Sequence, residues 1–242
     1  MTSKLSFTGQ MAVITGASSG IGRCITLELA RRGMDLCLIG RDRDALQSLS
    51  KEFDPTRKCS IIQADFANED QLASLRDQLE NEIPSVDVLI HSAGAYSTAA
   101  FSEATAETFD WLYRVNVRAP FLLTQWLLPK LIKSQGQIVF INSSVVMQAK
   151  AGLAQYAATK QALKAVADSL RDEVNADGVR VLSIYPGRTA TPMQARIFEQ
   201  EGREYMPEKL TQPSDIADVV LNALLLPRSA EITDIHIRPM HK

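Results

Sequence analysis

Four side chains carry the chemistry this sequence can do: Asn116, Ser143, Tyr156 and Lys160. Tyr156 and Lys160 stand four residues apart, which on a helix puts them on one face, a turn from each other. An ammonium beside a phenol favours the phenolate and is expected to draw the tyrosine pKa down from about 10 toward working pH. Such a tyrosine can protonate a developing alkoxide or, in reverse, take the proton from an alcohol. Ser143, just past an apolar run, offers a hydroxyl to hold a substrate oxygen. Asn116 lies in a long helical stretch, where it could order a water or the lysine. Each also has a plain structural reading. The Tyr-x-x-x-Lys pair could be surface packing, Ser143 and Ser144 strand-end hydroxyls, and Asn116 a helix irregularity.

The string Thr15-Gly16-Ala17-Ser18-Ser19-Gly20-Ile21-Gly22 ahead of them makes the four a set. Gly16 closes an apolar run, and Gly20 and Gly22 open a helical pattern. A dinucleotide needs this: a tight turn, close backbone approach to its pyrophosphate, and a helix start whose N–H groups face the phosphates. The spacing is Gly-x-x-x-Gly-x-Gly, so the turn carries extra residues, and such turns also occur without nucleotide. The second apolar run ends Gly40-Arg41-Asp42-Arg43, with Asp35 at its other end. An NAD site would place a carboxylate where Arg41 stands, whereas an arginine can fork onto a 2′-phosphate. A solvated helix start is the alternative, but the helix dipole disfavours cations there. NADP (NADPH) is therefore expected rather than NAD.

These residues need elements to position them. Short apolar runs recur at Met11–Thr15, Leu36–Gly40, Cys59–Gln63, Val86–Ile90, Gln137–Asn142, Val179–Ile184 and Ile232–Ile237. Helical patterns lie between them at Ile21–Arg32, Arg43–Phe53, Glu69–Asn81, Thr105–Ser134, Ala154–Asn175 and Pro213–Leu226. Leu163, Val166, Leu170 and Val174 form one helical stripe after Tyr156. The alternation predicts an α/β fold, a doubly wound parallel seven-stranded sheet with helices on both faces, and right-handed crossovers. The chemical motifs fall just after apolar runs, where such a sheet binds its ligands. With 242 residues, 45% of them apolar, the chain can bury one sizeable core as a single domain. No window approaches the ~18 unbroken apolar residues of a membrane span. A formal charge of −2 gives no reason to expect nucleic acid or an anionic membrane as partner. Cys24, Cys37 and Cys59 read as free thiols, and residues 1–10 lack the apolar run of a secretion signal. A soluble cytoplasmic domain is expected.

In this order the motifs resemble the short-chain dehydrogenase/reductase family, in its shorter single-domain type. The resemblance runs from Thr15-Gly16 to the last apolar run. It implies a Rossmann fold and NADP-dependent interconversion of a carbonyl and an alcohol. The family spacing of thirteen from serine to tyrosine selects Ser143 over Ser144. Tyr156 is then the acid/base and Ser143 positions the substrate oxygen. Lys160 binds the nicotinamide ribose and lowers the tyrosine pKa, and Asn116 carries a proton-relay water. The cofactor would also meet Gly16, Ser18, Ser19, Gly20, Ile21 and Gly22, the adenine-pocket pair Asp65-Phe66, and Ser92, Ala93 and Gly94 at the ribose. Pro186, Gly187, Thr189 and Thr191, within Pro186-Gly187-Arg188-Thr189-Ala190-Thr191, would hold the carboxamide.

Where the family usually has Asn-Asn-Ala-Gly, this chain has His91-Ser92-Ala93-Gly94, and His91 is read as a hydrogen-bonded core residue. The segment 191–212, with Met193, Arg196, Ile197, Phe198, Tyr205 and Met206, should cover the substrate as a mobile lid or a short helix on the body. Tyr96, Val145, Leu153 and Tyr185 are further candidates for the pocket wall. The small-molecule substrate is a carbonyl or an alcohol. The apolar faces of Phe121–Ile132 and of the alanine-rich Tyr156 helix predict a homodimer or homotetramer. A dinucleotide sensor or scaffold that kept the fold without turnover is the rival class, and it has no need of the tyrosine–lysine pair.

Overall fold

The computed structural model describes residues 6–240, so the first five residues of the stretch read for a signal lie outside the described residues. The seven apolar runs become seven strands: β1 Met11–Thr15, β2 Asp35–Gly40, β3 Cys59–Gln63, β4 Val88–His91, β5 Gln137–Ile141, β6 Arg180–Pro186 and β7 Asp234–Ile237. All pair in parallel, in the order β3-β2-β1-β4-β5-β6-β7. This is the doubly wound Rossmann sheet, whose strand order reverses between β1 and β4. β4 starts two residues later than expected, because Asp87 closes the entry to the sheet, its carboxylate accepting from the Met11 N–H at 2.8 Å.

Alternate residues of each strand feed opposite layers. Ala12 and Ile14 pack with Leu29 of helix α1 (Gly20–Arg31) and Val220 of α8 (Pro213–Leu224). Met11 and Val13 pack with Leu75 of α3 (Glu69–Glu82), Leu127 of α5 (Ala119–Ser134) and Leu163 of α6 (Ala154–Val174). Because both faces are covered, the strands are apolar without alternation, which is why they were legible as runs. The remaining helices are α2 (Arg43–Ser50), α4 (Ala106–Tyr113) and α7 (Pro192–Gln200).

Two expectations are refined. The stretch Thr105–Ser134 is two helices, α4 and α5, joined through a π turn at Arg114–Arg118 with Asn116 at its centre. The cause is local: Pro120 has no N–H to give the Asn116 carbonyl, so the ordinary ladder cannot run through. The segment 191–212 takes the second of its two readings, with α7 on the body and Ile197 and Phe198 buried.

Candidate active site

The end of β1 and the start of α1 are folded against each other as tightly as backbone allows. Gly16 has φ 67°, and a Cβ there would lie 2.7 Å from the Ala93 nitrogen. A Cβ on Gly22 would come within 2.3 Å of the Gly16 carbonyl oxygen, so only glycine lets α1 sit this close to the strand. Ser19, the residue before the helix, makes no side-chain bond to the first turn, which leaves those N–H groups for an anion. The Thr15 hydroxyl accepts from the backbone N–H groups of Ser92 and Ala93, both at 3.2 Å, tying the loop after β4 to this cradle. From the other side, Thr191 approaches Gly20, its Cγ2 3.1 Å from where a Cβ would be. The carboxyl ends of β1, β4 and β6 thus meet at the point of strand-order reversal, where a doubly wound sheet binds its ligand.

Arg41 is exposed beyond β2 and has no ion-pair partner among the described residues. Asp42 caps α2, accepting from the Ala45 N–H at 2.9 Å, so Arg41 precedes the cap and only Arg43 lies in the first turn. A Cβ on Gly40 would lie 3.8 Å from the Ser18 hydroxyl, so the loop after β1 and the end of β2 share a wall. Asp65 accepts from the Ala67 N–H at 2.9 Å in the turn after β3. Phe66 is buried in the core under α3, so its ring belongs to the core.

The structure brings the four candidate catalytic side chains to the carboxyl ends of β4 and β5. Ser143 opens a short 3₁₀ turn, accepting from the Val145 N–H at 3.2 Å, with its hydroxyl close enough to the Tyr156 phenol to favour the phenolate. Lys160 is buried; its Nζ donates to the Ile141 carbonyl at 3.4 Å and lies 5.9 Å from the centre of the Tyr156 ring. Asn142, unremarked in the sequence, donates to the Lys160 carbonyl at 3.2 Å. Asn116 accepts from the Ala95 N–H at 2.7 Å and donates to the Ala95 carbonyl at 3.0 Å and the Thr159 hydroxyl at 3.1 Å. A Cβ on Gly94 would be 3.6 Å from Asn116 Oδ1 and 3.8 Å from Lys160 Nζ. Gly94 therefore keeps the space open beside the lysine. The Tyr96 ring meets Tyr156 edge-on at 5.0 Å.

The electrostatics correct one expectation. Burial pushes the Tyr156 phenol up to about 12, only partly offset by the nearby Ser143 hydroxyl, and burial holds the Lys160 ammonium down to about 8. At this separation the ammonium does not overcome the desolvation that both groups suffer. The tyrosine is thus held as the neutral phenol across physiological pH, a proton donor. The Asn116 side chain is committed to Ala95 and Thr159, so the amide clamps the loop after β4.

His91 is a core residue, as read. It is buried, its Nε2 lies 2.8 Å from the Thr124 hydroxyl, and its ring stacks on Phe140 at 4.8 Å. Burial depresses its pKa to about 3. With the folded value below an unfolded value of about 6.5, its contribution to stability is present above pH 6.5 and is lost as pH falls toward 3. Between pH 6.5 and pH 5 the loss is about 2 kcal/mol. A His91→Gln variant should therefore show a shallower decline of Tm over that interval than the parent, in parallel melts. Equal slopes would mean that His91 accepts its proton without cost.

At the end of β6, Gly187 donates to the Ile237 carbonyl at 2.7 Å, and the Thr189 hydroxyl donates to the Gly187 carbonyl at 3.1 Å. Thr191 caps α7, accepting from the Gln194 N–H at 3.2 Å. Tyr185 is fully buried and bonded to Asp234 at 2.8 Å, so it is core and not pocket wall. Sequence reasoning also missed a cluster at the end of α7, in which Arg188 and Arg203 flank Phe198 and both bind Glu201. Its members are spread over sixteen positions without a period, so no sequence signal marked them.

A family model described as short chain dehydrogenase matches residues 10–202. An uncharacterized oxidoreductase of Staphylococcus epidermidis is 30% identical over 232 residues, 96% of this chain and 97% of that protein. A putative short chain dehydrogenase from Escherichia coli CFT073, solved with NADPH, is 30% identical with a TM-score of 0.83, over 97% of this chain and 98% of that one. An alcohol dehydrogenase from the archaeon Thermococcus sibiricus, solved with 5-hydroxy-NADP, is 26% identical with a TM-score of 0.85, over 96% and 97%. The chain belongs to the short-chain dehydrogenase/reductase family and is an oxidoreductase.

Proposed function

We propose that the protein is an NADP-dependent oxidoreductase that interconverts a carbonyl and an alcohol. The observation that carries this reading is the convergence of Ser143, Tyr156 and Lys160 beside the Gly94 gap, at the open end of the Gly16–Gly22 cradle. The cofactor supplies or accepts the hydride when bound. Ser143 and Tyr156 hold the carbonyl oxygen between their hydroxyls. As the carbon is reduced, the phenolic proton passes to the developing alkoxide, and the resulting phenolate is compensated by the Lys160 ammonium. Asn116 positions the loop carrying Gly94 and Ala95. Residues 191–212 cover the substrate. The test is NADPH oxidation across a panel of aldehydes and ketones; no oxidation with any class of carbonyl would favour the sensor reading.

The relatives solved with NADPH and 5-hydroxy-NADP support NADP as cofactor, and Arg41 is the residue we assign to its 2′-phosphate. NADPH should bind at least about tenfold more tightly than NADH, roughly 1.4 kcal/mol and within reach of one charge-assisted contact. Arg41→Ala should erase most of that gap. Equal affinities for the two cofactors in titration calorimetry would remove Arg41 from this role.

Assembly as a homodimer or homotetramer is supported by Phe109, Trp111, Tyr113 and Phe121, aromatic residues left exposed on α4 and α5. Ala158 and Ala165 on α6 add exposed small residues for close helix approach. Light scattering should give a multiple of the 26.7 kDa chain mass. A single-chain mass at micromolar concentration would exclude it. No helix among the described residues is long and apolar enough to cross a membrane. Burial raises the Cys37 thiol to about 12 and that of Cys59 to about 11, which suits unreactive thiols in a cytoplasmic protein.

A further inference from the structure

We propose that Asn142 and Gln161 are positioning residues, two amides that staple the strand end and turn carrying Ser143 to the helix carrying Tyr156 and Lys160. The inference rests on the reductase reading above and adds two residues to its site. Each amide is the chain neighbour of a group assigned to the chemistry: Asn142 precedes Ser143, and Gln161 follows Lys160. Their bonds run in opposite directions. Asn142 Nδ2 donates from the end of β5 to the Lys160 carbonyl of α6 at 3.2 Å, and Gln161 Nε2 donates from α6 to the Val146 carbonyl at 2.7 Å. Lys160 Nζ adds a third tie, to the Ile141 carbonyl at 3.4 Å. Residues 141–146 are thus held to residues 160–161 on both sides of Ser143.

Neither amide is there for the sake of the fold. Asn142 is 5% exposed, and its Oδ1 is buried with no hydrogen-bond partner among the described residues. An amide buried with its acceptor unmet is a cost to stability. The Lys160 carbonyl does not need Asn142, because it lies inside α6, where the N–H four residues on already serves it. The Asn142 N–H donates to the Ile184 carbonyl of β6 at 2.8 Å, so the side chain works from a fixed base. Gln161 is exposed, and a long exposed side chain gives up rotamer freedom to keep one bond.

What the two bonds fix is register. The Gln161 bond ends on the turn Ser144–Val146, which Ser143 opens, and the Asn142 bond ends on the backbone of Lys160 itself. Ser143 and Tyr156 sit on different elements yet must meet one substrate oxygen. A misplacement of about 1 Å between such groups can cost on the order of 10² in rate. Amides anchored on each element and bonded to the other hold that spacing.

Asn142→Leu keeps the buried volume and removes both the donor and the unmet acceptor. Gln161→Met keeps the length and removes the donor. On the best substrate of the carbonyl panel, each should lower kcat at least about fivefold. The Tm of Asn142→Leu should equal or exceed the parent's, and Gln161→Met should keep its NADPH affinity within about twofold in calorimetry. A loss of Tm that accounts for the loss of activity would make the amides structural and overturn the proposal. In a Ser143→Ala background Gln161→Met should cost less than about twofold more, because the serine it positions is gone; losses that simply multiply overturn it as well. Gln161 shares the exposed side of α6 with Ala158 and Ala165, so a changed light-scattering mass would assign it to assembly instead. Hydrogen exchange of residues 143–147 reads the staple without turnover and should be faster in Gln161→Met at unchanged Tm. That result, with no carbonyl reduced by the parent, sustains the staple and sinks the reductase reading. Parent turnover with kcat unchanged in both variants does the opposite.

Discussion

Tyr156→Phe should lower turnover by at least ~10², the usual contribution of a positioned acid or base, while leaving the fold and NADPH affinity in place. The substitution removes one oxygen. The ring keeps its edge-on contact with Tyr96 and its place beside Lys160, so packing has no reason to change. What disappears is the phenol beside the Ser143 hydroxyl, and with it the proton that the proposed alkoxide needs. Because burial holds that phenol protonated to about 12, reduction should draw on it without prior deprotonation anywhere in the physiological range. Steady-state rates on the best substrate of the carbonyl panel, with NADPH titrated separately, provide the check. Turnover close to the parent's would take Tyr156 out of the chemistry.

Lys160→Met should separate stability from activity. The ammonium is buried with one long bond to the Ile141 carbonyl, and burial brings its pKa to about 8, against about 10.4 in an unfolded chain. The unfolded state therefore binds more protons between those values, and stability rises with pH across them. Below pH 8 the protein carries the full cost of the buried charge, on the order of 1–3 kcal/mol. Methionine fills much of the same volume without that cost. The cofactor-free variant should melt several degrees higher than the parent at pH 7, given roughly 2–4 °C per kcal/mol for a chain of this size. The advantage should shrink by pH 10. If the proposed mechanism holds, turnover and NADPH affinity should both fall, since the amine assigned to compensate the phenolate is gone. A variant less stable than the parent at pH 7, or a gap that ignores pH, would show that the ammonium is not a burden on the fold.

The sheet was legible because strands covered on both faces are continuously apolar, and β1 and β3 fall where the runs Met11–Thr15 and Cys59–Gln63 were drawn. The cradle was legible because Gly16 and Gly22 mark places where no other residue fits, a constraint that leaves its mark in residue type. Tyr156 and Lys160 were legible because helical spacing alone puts them on one face. What the tertiary structure decided is how buried each group is and which partner reaches it. The Tyr156 pKa moved opposite to the local argument, because neighbours are visible in a sequence and desolvation is not. Asn116 was known to lie on a helical stretch, but its grip on Ala95 depends on a π turn and on a loop twenty-one residues away in the chain. Arg188 stood in plain view within Pro186–Thr191. Its pairing with Glu201 exists only because α7 brings Glu201 back to the end of β6, where long-range packing and not local spacing sets the distance.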